Sequence, residues 1–419
     1  MFENKLTLIK FSSGLYYLLP LAILSGPFFP DLFISIISLI FLYKSYVSKK
    51  KKYFKNKFFL IFIIFYFYLL INSLFSDYTL FSLESSFFYF RFGIFSLATW
   101  YLIDENEKFL VNLKYIFLAT FVFAILDGYI QYIYGINLYG FGNDEGTRLS
   151  LPFNDKLLLG GYLARLFPIL IALLLLGNKS VYSYMFFAIL LIATDVLIYI
   201  SGERTALGLM FFSTLLIIIF LNTYRILRIF TFVISVIIIL FITISNDQIR
   251  DRNIDLTLNQ LGLGAQTGKI YLFSHHHESH ILSAYKMFKT EPIIGHGVNT
   301  FRKYCDEPEY NIDVYSCSTH PHNSSIQILA EIGILGFLPY LFLNFSIIFV
   351  LLKNLYLEIF YKDFYLSNFQ ILILISILLS IWPLFPTQNF FNNWINIIYY
   401  FPVGFYLYSI YGGKKNVEG

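Results

Sequence analysis

Long apolar runs, separated by short charged or turn-forming stretches, dominate the chain. A hydrocarbon core about 30 Å thick takes roughly 20 residues of helix per crossing. Twelve runs approach that length: Leu6–Ser25, Phe28–Val47, Phe58–Phe75, Phe87–Ile103, Phe109–Ile133, Leu157–Gly177, Val181–Ile200, Thr205–Leu221, Ile226–Ser245, Ser325–Leu352, Phe364–Ile381 and Phe390–Tyr411. The pattern predicts an all-α polytopic membrane protein of about 12 transmembrane helices, with a large periplasmic loop between helices 9 and 10. Residues 1–245 then form an N-terminal membrane bundle of about nine spans, 246–324 the loop, and 325–419 a C-terminal bundle of about three spans with a cytoplasmic tail.

Composition agrees with that pattern. At 57% hydrophobic and 13% charged, the 419 residues are too apolar for a water-soluble protein of this size, and 49 Phe with 34 Tyr exclude a disordered chain. Lys and Arg placement sets orientation. The run Lys49-Lys50-Lys51-Lys52-Tyr53-Phe54-Lys55-Asn56-Lys57 reads as a cytoplasmic loop, and alternation from it puts both termini inside. Eighteen Lys and Arg then fall on the cytoplasmic side, Lys5, Lys179, Lys414 and Lys415 among them. Only Arg91, Arg148, Lys156, Arg165 and Arg204 stand at the outer ends of spans, and seven more lie in the long loop. The first run, flanked by Lys5 and Lys10 without a small-residue cleavage site, reads as an anchor. No P-loop, Gly-x-Gly-x-x-Gly, heptad or internal repeat is visible, and nothing calls for nucleic acid.

All seven histidines, His275, His276, His277, His280, His296, His320 and His322, fall within 48 residues of the loop. They are either ordinary polar surface or the roof of an active site at the membrane surface. Cys305 and Cys317 share the loop with eleven residues between them, and a disulfide is expected on that oxidising side. A metal site is the competing use of the cluster, with His276 and His280 at i, i+4 and Glu278 and His322 completing a tetrahedron. A flippase would need a cationic path through the membrane, whereas the arginines sit at one face.

The stretch His320-Pro321-His322-Asn323-Ser324-Ser325-Ile326-Gln327-Ile328-Leu329-Ala330-Glu331-Ile332-Gly333-Ile334-Leu335-Gly336-Phe337 resembles the C-terminal signature of the bacterial O-antigen ligase and polymerase superfamily. The ligase pattern is His, then Asn, Ser or Gln, nine residues, Gly, two residues, Gly, and His322, Asn323, Gly333 and Gly336 occupy those places. Ser201-Gly202-Glu203-Arg204-Thr205-Ala206 resembles the family too, as does Ala284-Tyr285-Lys286-Met287-Phe288 followed by Glu291-Pro292-Ile293-Ile294-Gly295-His296-Gly297.

That resemblance implies an inverting, metal-independent glycosyl transfer that uses no cofactor, at the periplasmic face of the inner membrane. The donor would be a glycan on undecaprenyl pyrophosphate, and the acceptor a sugar of lipid A–core or another glycan. A polymerase joining repeat units and a protein O-glycosyltransferase share donor and base. His322 takes the base's place, with His320 its rival and Asn323 its motif neighbour. Arginine's fork of donors suits pyrophosphate. Arg204 is the first candidate, Arg148 the next and Arg165 a secondary one, while Arg91 reads as a helix-end anchor. Many members carry an Arg about ten residues before the position of Met287, where this chain has His275-His276-His277-Glu278-Ser279-His280. His277 or His280 takes over that phosphate contact, or Arg250, Arg252 or Lys269 reaches in. Pro321 suits the first turn of the tenth span, with Thr319 or Asn323 as its cap. Glu331 reads as structural, and Asp127 and Asp195 as acids that pair with Arg165 or Arg204 or serve function.

Overall fold

A computed structural model describes residues 2–142, 148–153, 156–176, 181–263, 269–271 and 273–412, with the backbone alone for 2–6. The charges of Lys5, Lys179, Lys414 and Lys415 and the tail beyond Gly412 lie outside the described residues. Every one of the twelve apolar runs coincides with a helix: α1(Phe2–Ile23), α2(Phe28–Val47), α3(Lys57–Leu74), α5(Phe90–Glu105), α6(Phe109–Tyr134), α7(Leu159–Leu174), α8(Val181–Ile200), α9(Arg204–Phe220), α10(Arg225–Ser245), α15(Ser324–Tyr361), α16(Asn368–Ser380) and α17(Asn393–Tyr411). Between them lie α4(Thr79–Ser86) and, in the loop, α11(Asp247–Arg250), α12(Leu256–Gln260), α13(His275–Thr290) and α14(Phe301–Tyr304). Among the described residues seven helices are long and apolar enough to cross a membrane, whereas the Thr7–Ile23 part of α1 and helices α7, α9 and α16 are shorter apolar stretches. Among the described residues there is no strand, only a single β-bridge between Ile136 and Gly142.

Three helices, α5, α7 and α16, are almost wholly enclosed by others. α7 and α16 pack on each other, and α5 packs on α17, so their residues are buried on all sides. α10 is the opposite case, with Ile226, Phe230, Ile237 and Phe241 facing outward toward lipid. Its inner face carries Arg228, whose guanidinium grips both oxygens of Asp195 at 2.7 and 3.0 Å. Asp195 therefore pairs with Arg228, not with Arg165 or Arg204. Asp127 pairs with no arginine among the described residues: it accepts from the Leu138 amide at 2.9 Å and holds the turn after α6. Arg91 anchors a helix end, as expected, through Asp31 at 2.7 Å.

The motif glycine explains the shape of α15. Gly333 sits at φ 64, ψ −171, a conformation open essentially to glycine, and it breaks the helix about a quarter of the way along. The segment Pro292–Gly297 crosses the break and supplies the bonds the helix loses there. Ile334 donates to Pro292 at 2.9 Å, while His296 and Gly297 donate to Ala330 and Glu331 at 3.1 and 2.7 Å. Backbone meets backbone here: a Cβ on Gly333 would stand 2.2 Å from the Ile293 carbonyl oxygen, and one on Gly295 2.5 Å from the Glu331 carbonyl carbon. Glu331 completes the joint, accepting from the Asn299 and Phe301 amides at 3.1 and 2.9 Å. Its role is structural, as the sequence suggested. The crossing ties the loop helix α13 to the upper part of α15.

Candidate active site

His322 precedes α15 and is not part of it. The helix begins at Ser324, capped by Asn323, whose side chain accepts from the Ile326 amide at 3.1 Å. Pro321 thus lies outside the first turn. His322 has φ 56, in the left-handed region where few non-glycine residues are found and His is enriched. The segment after α16 fixes this geometry. Thr387 donates its amide to the His322 carbonyl at 2.8 Å, and Asn323 donates its side-chain amide to the Pro383 carbonyl at 3.0 Å. His320 is held by the same segment, donating from Nε2 to the Thr387 carbonyl at 3.2 Å while Nδ1 accepts from Thr319 at 2.9 Å.

α13 brings two more imidazoles to the same place. Ring centroids of His322 stand 5.1 Å from His277, 5.2 Å from His280 and 4.1 Å from His320. Ser274 caps α13 and also contacts Nδ1 of His277 at 3.1 Å. His280 bonds the Cys317 backbone, and its buried Nδ1 has no partner among the described residues. Cys317 in turn is joined to Cys305 by a disulfide, as expected. Burial first, then mutual proximity, holds His277 and His320 down at about 4 and His322 at about 3. Burial also lowers His280. Four neutral rings therefore share one half-buried space. Burial first, then the neighbouring imidazoles, favours the neutral form of His322.

The other expected metal ligands are drawn elsewhere. His276 stacks on Tyr315 with centroids 3.9 Å apart, and Glu278 pairs with Lys269 at 2.9 Å. The set His276, His280, Glu278 and His322 is thus pulled apart, and among the described residues no three of His, Cys, Asp and Glu gather in ligand geometry.

Beside the histidines lies a patch of guanidinium groups, gathered by the turn between α8 and α9. Arg204, the first residue of α9, donates to Thr257 at 3.2 Å, and its charge is felt at His277. Arg148 donates to the Leu157 carbonyl at 2.8 Å, and buried Arg165 to the Gly161 carbonyl at 3.3 Å. None of these three forms an ion pair with a carboxylate among the described residues. Of the three cations considered for the missing Arg, Arg252 comes closest to the patch: it donates to the Gly202 carbonyl at 3.4 Å and lies beside Arg204. Lys269 is held by Glu278, and Arg250 by Asp247 at 2.9 Å.

The residue that sequence reasoning passed over is Glu203. Its carboxylate accepts from the amides of Gly160 and Gly161 at 2.6 and 3.0 Å, binding the turn before α9 to the first turn of α7. Burial pushes it up to about 7, against the pull of Arg148, the two amides and Arg165. The signal for it is the motif Gly202-Glu203-Arg204 itself, from which sequence offers Glu203 only as an ion-pair partner of Arg204.

A cavity of about 450 Å³ lies elsewhere, between α3, α15, α16 and α17, and is apolar and aromatic, with Phe62, Tyr340 and Phe390 in its wall. No histidine or arginine lines it.

A search of curated proteins found no match. A family model described as O-antigen ligase matches residues 186–341, which run from α8 through the loop and its histidines to the part of α15 beyond the Gly333 break. Through that match and the motif from His322 to Gly336, residues 186–341 are similar to the O-antigen ligase family.

Proposed function

We propose that the protein is an inverting, metal-independent glycosyltransferase of the bacterial inner membrane, an O-antigen ligase in lipopolysaccharide biosynthesis. It moves a glycan from undecaprenyl pyrophosphate to a sugar hydroxyl of lipid A–core on the periplasmic side. In this reading the chain makes twelve crossings with both termini cytoplasmic, and the loop of residues 246–324 is periplasmic. The observation that carries the proposal is the pairing of four neutral imidazoles with three guanidiniums, Arg148, Arg165 and Arg204, that have no carboxylate ion pair among the described residues. Three guanidiniums met by the one carboxylate of Glu203, with no ion pair, leave a half-buried site that favours the arrival of a further anion.

The acceptor hydroxyl attacks the anomeric carbon and gives its proton to His322 as the bond to pyrophosphate breaks. Arg204, Arg148, Arg165 and Arg252 take up the charge growing on the leaving diphosphate, the part a divalent cation plays in other transferases. An imidazole held at about 3 is a weak base in the empty site. A dianion docked on the neighbouring arginines raises it, so base strength develops only when donor is present. His277 and His280 border the base and take the same lift from the donor.

The test uses purified protein with undecaprenyl-pyrophosphate glycan and either lipid A–core or a second donor molecule. Extension of lipid A–core is expected, and it should fall severely in Arg204→Lys, which keeps the charge and loses the fork. Extension of the second donor alone would make the protein a polymerase. Wild-type turnover by Arg204→Lys would remove the pyrophosphate clamp.

A further inference from the structure

We propose that the first turn of α7 is an anion subsite for one phosphate of the lipid-linked donor, and that the Glu203 carboxylate is a resident stand-in which that phosphate displaces. The proposal rests on the donor reading above and adds a device to it.

α7 has 16 residues, and Leu158 before it provides no side-chain cap. The cap comes instead from more than 40 residues along the chain, where both oxygens of Glu203 take the Gly160 and Gly161 amides at 2.6 and 3.0 Å. Two adjacent amides at a helix N-terminus, bridged by two oxygens of one anion, are the arrangement in which phosphate binds. The backbone is bared for it. A Cβ on Gly160 would stand 2.4 Å from the Ser201 hydroxyl, and one on Gly161 3.2 Å from Glu203 Oε2 and 3.1 Å from Arg165 Nη1.

Arg165 is the independent sign that the cradle awaits something more than a carboxylate. It is 5% exposed, its Nε has no hydrogen-bond partner among the described residues, and it borders the same point as Glu203 without forming an ion pair. Arg148, whose Nε also lacks a partner there, adds a second guanidinium. One carboxylate faces these two and Arg204 beyond them. A diphosphate matches that charge better than Glu203 does. With its carboxyl raised to about 7, Glu203 can leave the cradle as the neutral acid when a more highly charged anion enters. Its return after transfer would help expel undecaprenyl pyrophosphate, so the same side chain weakens donor binding and speeds product release.

The test is titration of the full-length protein in detergent with inorganic pyrophosphate, followed by calorimetry and by difference infrared spectroscopy. Glu203→Gln keeps one acceptor oxygen and loses the charge, and it should bind pyrophosphate at least tenfold more tightly than wild type. In the wild type, pyrophosphate should shift a carboxylate band that Glu203→Gln lacks. Glu203→Asp, too short to span both amides, should also bind more tightly and serves if Glu203→Gln fails to fold. Equal or weaker binding by both variants, or an unmoved carboxylate band, would overturn the stand-in while leaving the donor reading in place. No binding by any of these proteins would overturn both.

Discussion

Substituting Gly333 by Ala tests the joint on which the site is hung. The residue sits at φ 64, ψ −171, and an L side chain there costs about 1–3 kcal/mol in backbone strain. Its Cβ would lie 2.2 Å from the oxygen and 2.4 Å from the carbon of the Ile293 carbonyl, both backbone atoms that no rotamer change can move. Relieving that overlap requires the Pro292–Gly297 segment to retreat, which breaks or stretches the bonds from Ile334, His296 and Gly297. At about 1 kcal/mol for each of the three bonds, strain and lost bonds together reach about 4–6 kcal/mol. The control is Gly208→Ala in α9, where a Cβ meets only Phe385 at 3.8 Å and helix propensity favours alanine. Thermal unfolding of both variants in detergent, with glycan transfer scored in parallel, gives the comparison. Gly333→Ala should lose most of its stability and its transfer, whereas Gly208→Ala should match or exceed wild type. Equal melting of the two would refute the account of why the motif needs this glycine.

Removing the disulfide by Cys305→Ser with Cys317→Ser should cost roughly 3 kcal/mol on the loop-closure model and loosen His280, which bonds the Cys317 backbone. Unfolding of oxidised and double-variant protein measures the first effect, and alkylation of both thiols in unreduced protein would contradict the bond itself. Asp195→Leu alone strands the Arg228 guanidinium inside the bundle and should destabilise by about 3–5 kcal/mol, while adding Arg228→Met should restore most of the loss. A double variant no better than the single one would contradict that pairing. The histidines set a pH dependence. They titrate near 6.5 in the unfolded chain but lower in the fold, so the unfolded state binds more protons as pH falls. Stability is then full above about pH 6.5 and declines as pH drops toward about 4. His277→Gln should flatten that decline in a melting-temperature series, and an unchanged slope would argue against the burial assigned to the ring.

Much of the architecture was legible because a bilayer imposes it. Every apolar run became a helix, since no other backbone arrangement of that length satisfies its own hydrogen bonds in hydrocarbon short of a closed barrel. The cap at Asn323 was legible as well, being a local matter of one side chain and one amide. Pairings between distant segments were not. Asp195 finds Arg228 because α8 and α10 pack together, and nothing within either run names its neighbour. The Gly333 break depends on Ile293 approaching from forty residues away, so the spacing of the motif showed a glycine without its reason. Pro321 suits a first helical turn and so puts His322 at the start of the span, yet Thr387 holds its backbone in a left-handed conformation just before the helix. Glu203 escaped notice because its partners, Gly160 and Gly161, belong to another helix.

The central claim is that His322 removes the acceptor proton. Asparagine tolerates the left-handed backbone that His322 adopts at φ 56, so His322→Asn removes the imidazole with little disturbance of the chain. With undecaprenyl-pyrophosphate glycan and lipid A–core supplied to purified protein of wild-type melting temperature, this variant should transfer glycan about 10²–10⁴-fold more slowly while still binding pyrophosphate. Transfer by His322→Asn at close to the wild-type rate would contradict the account.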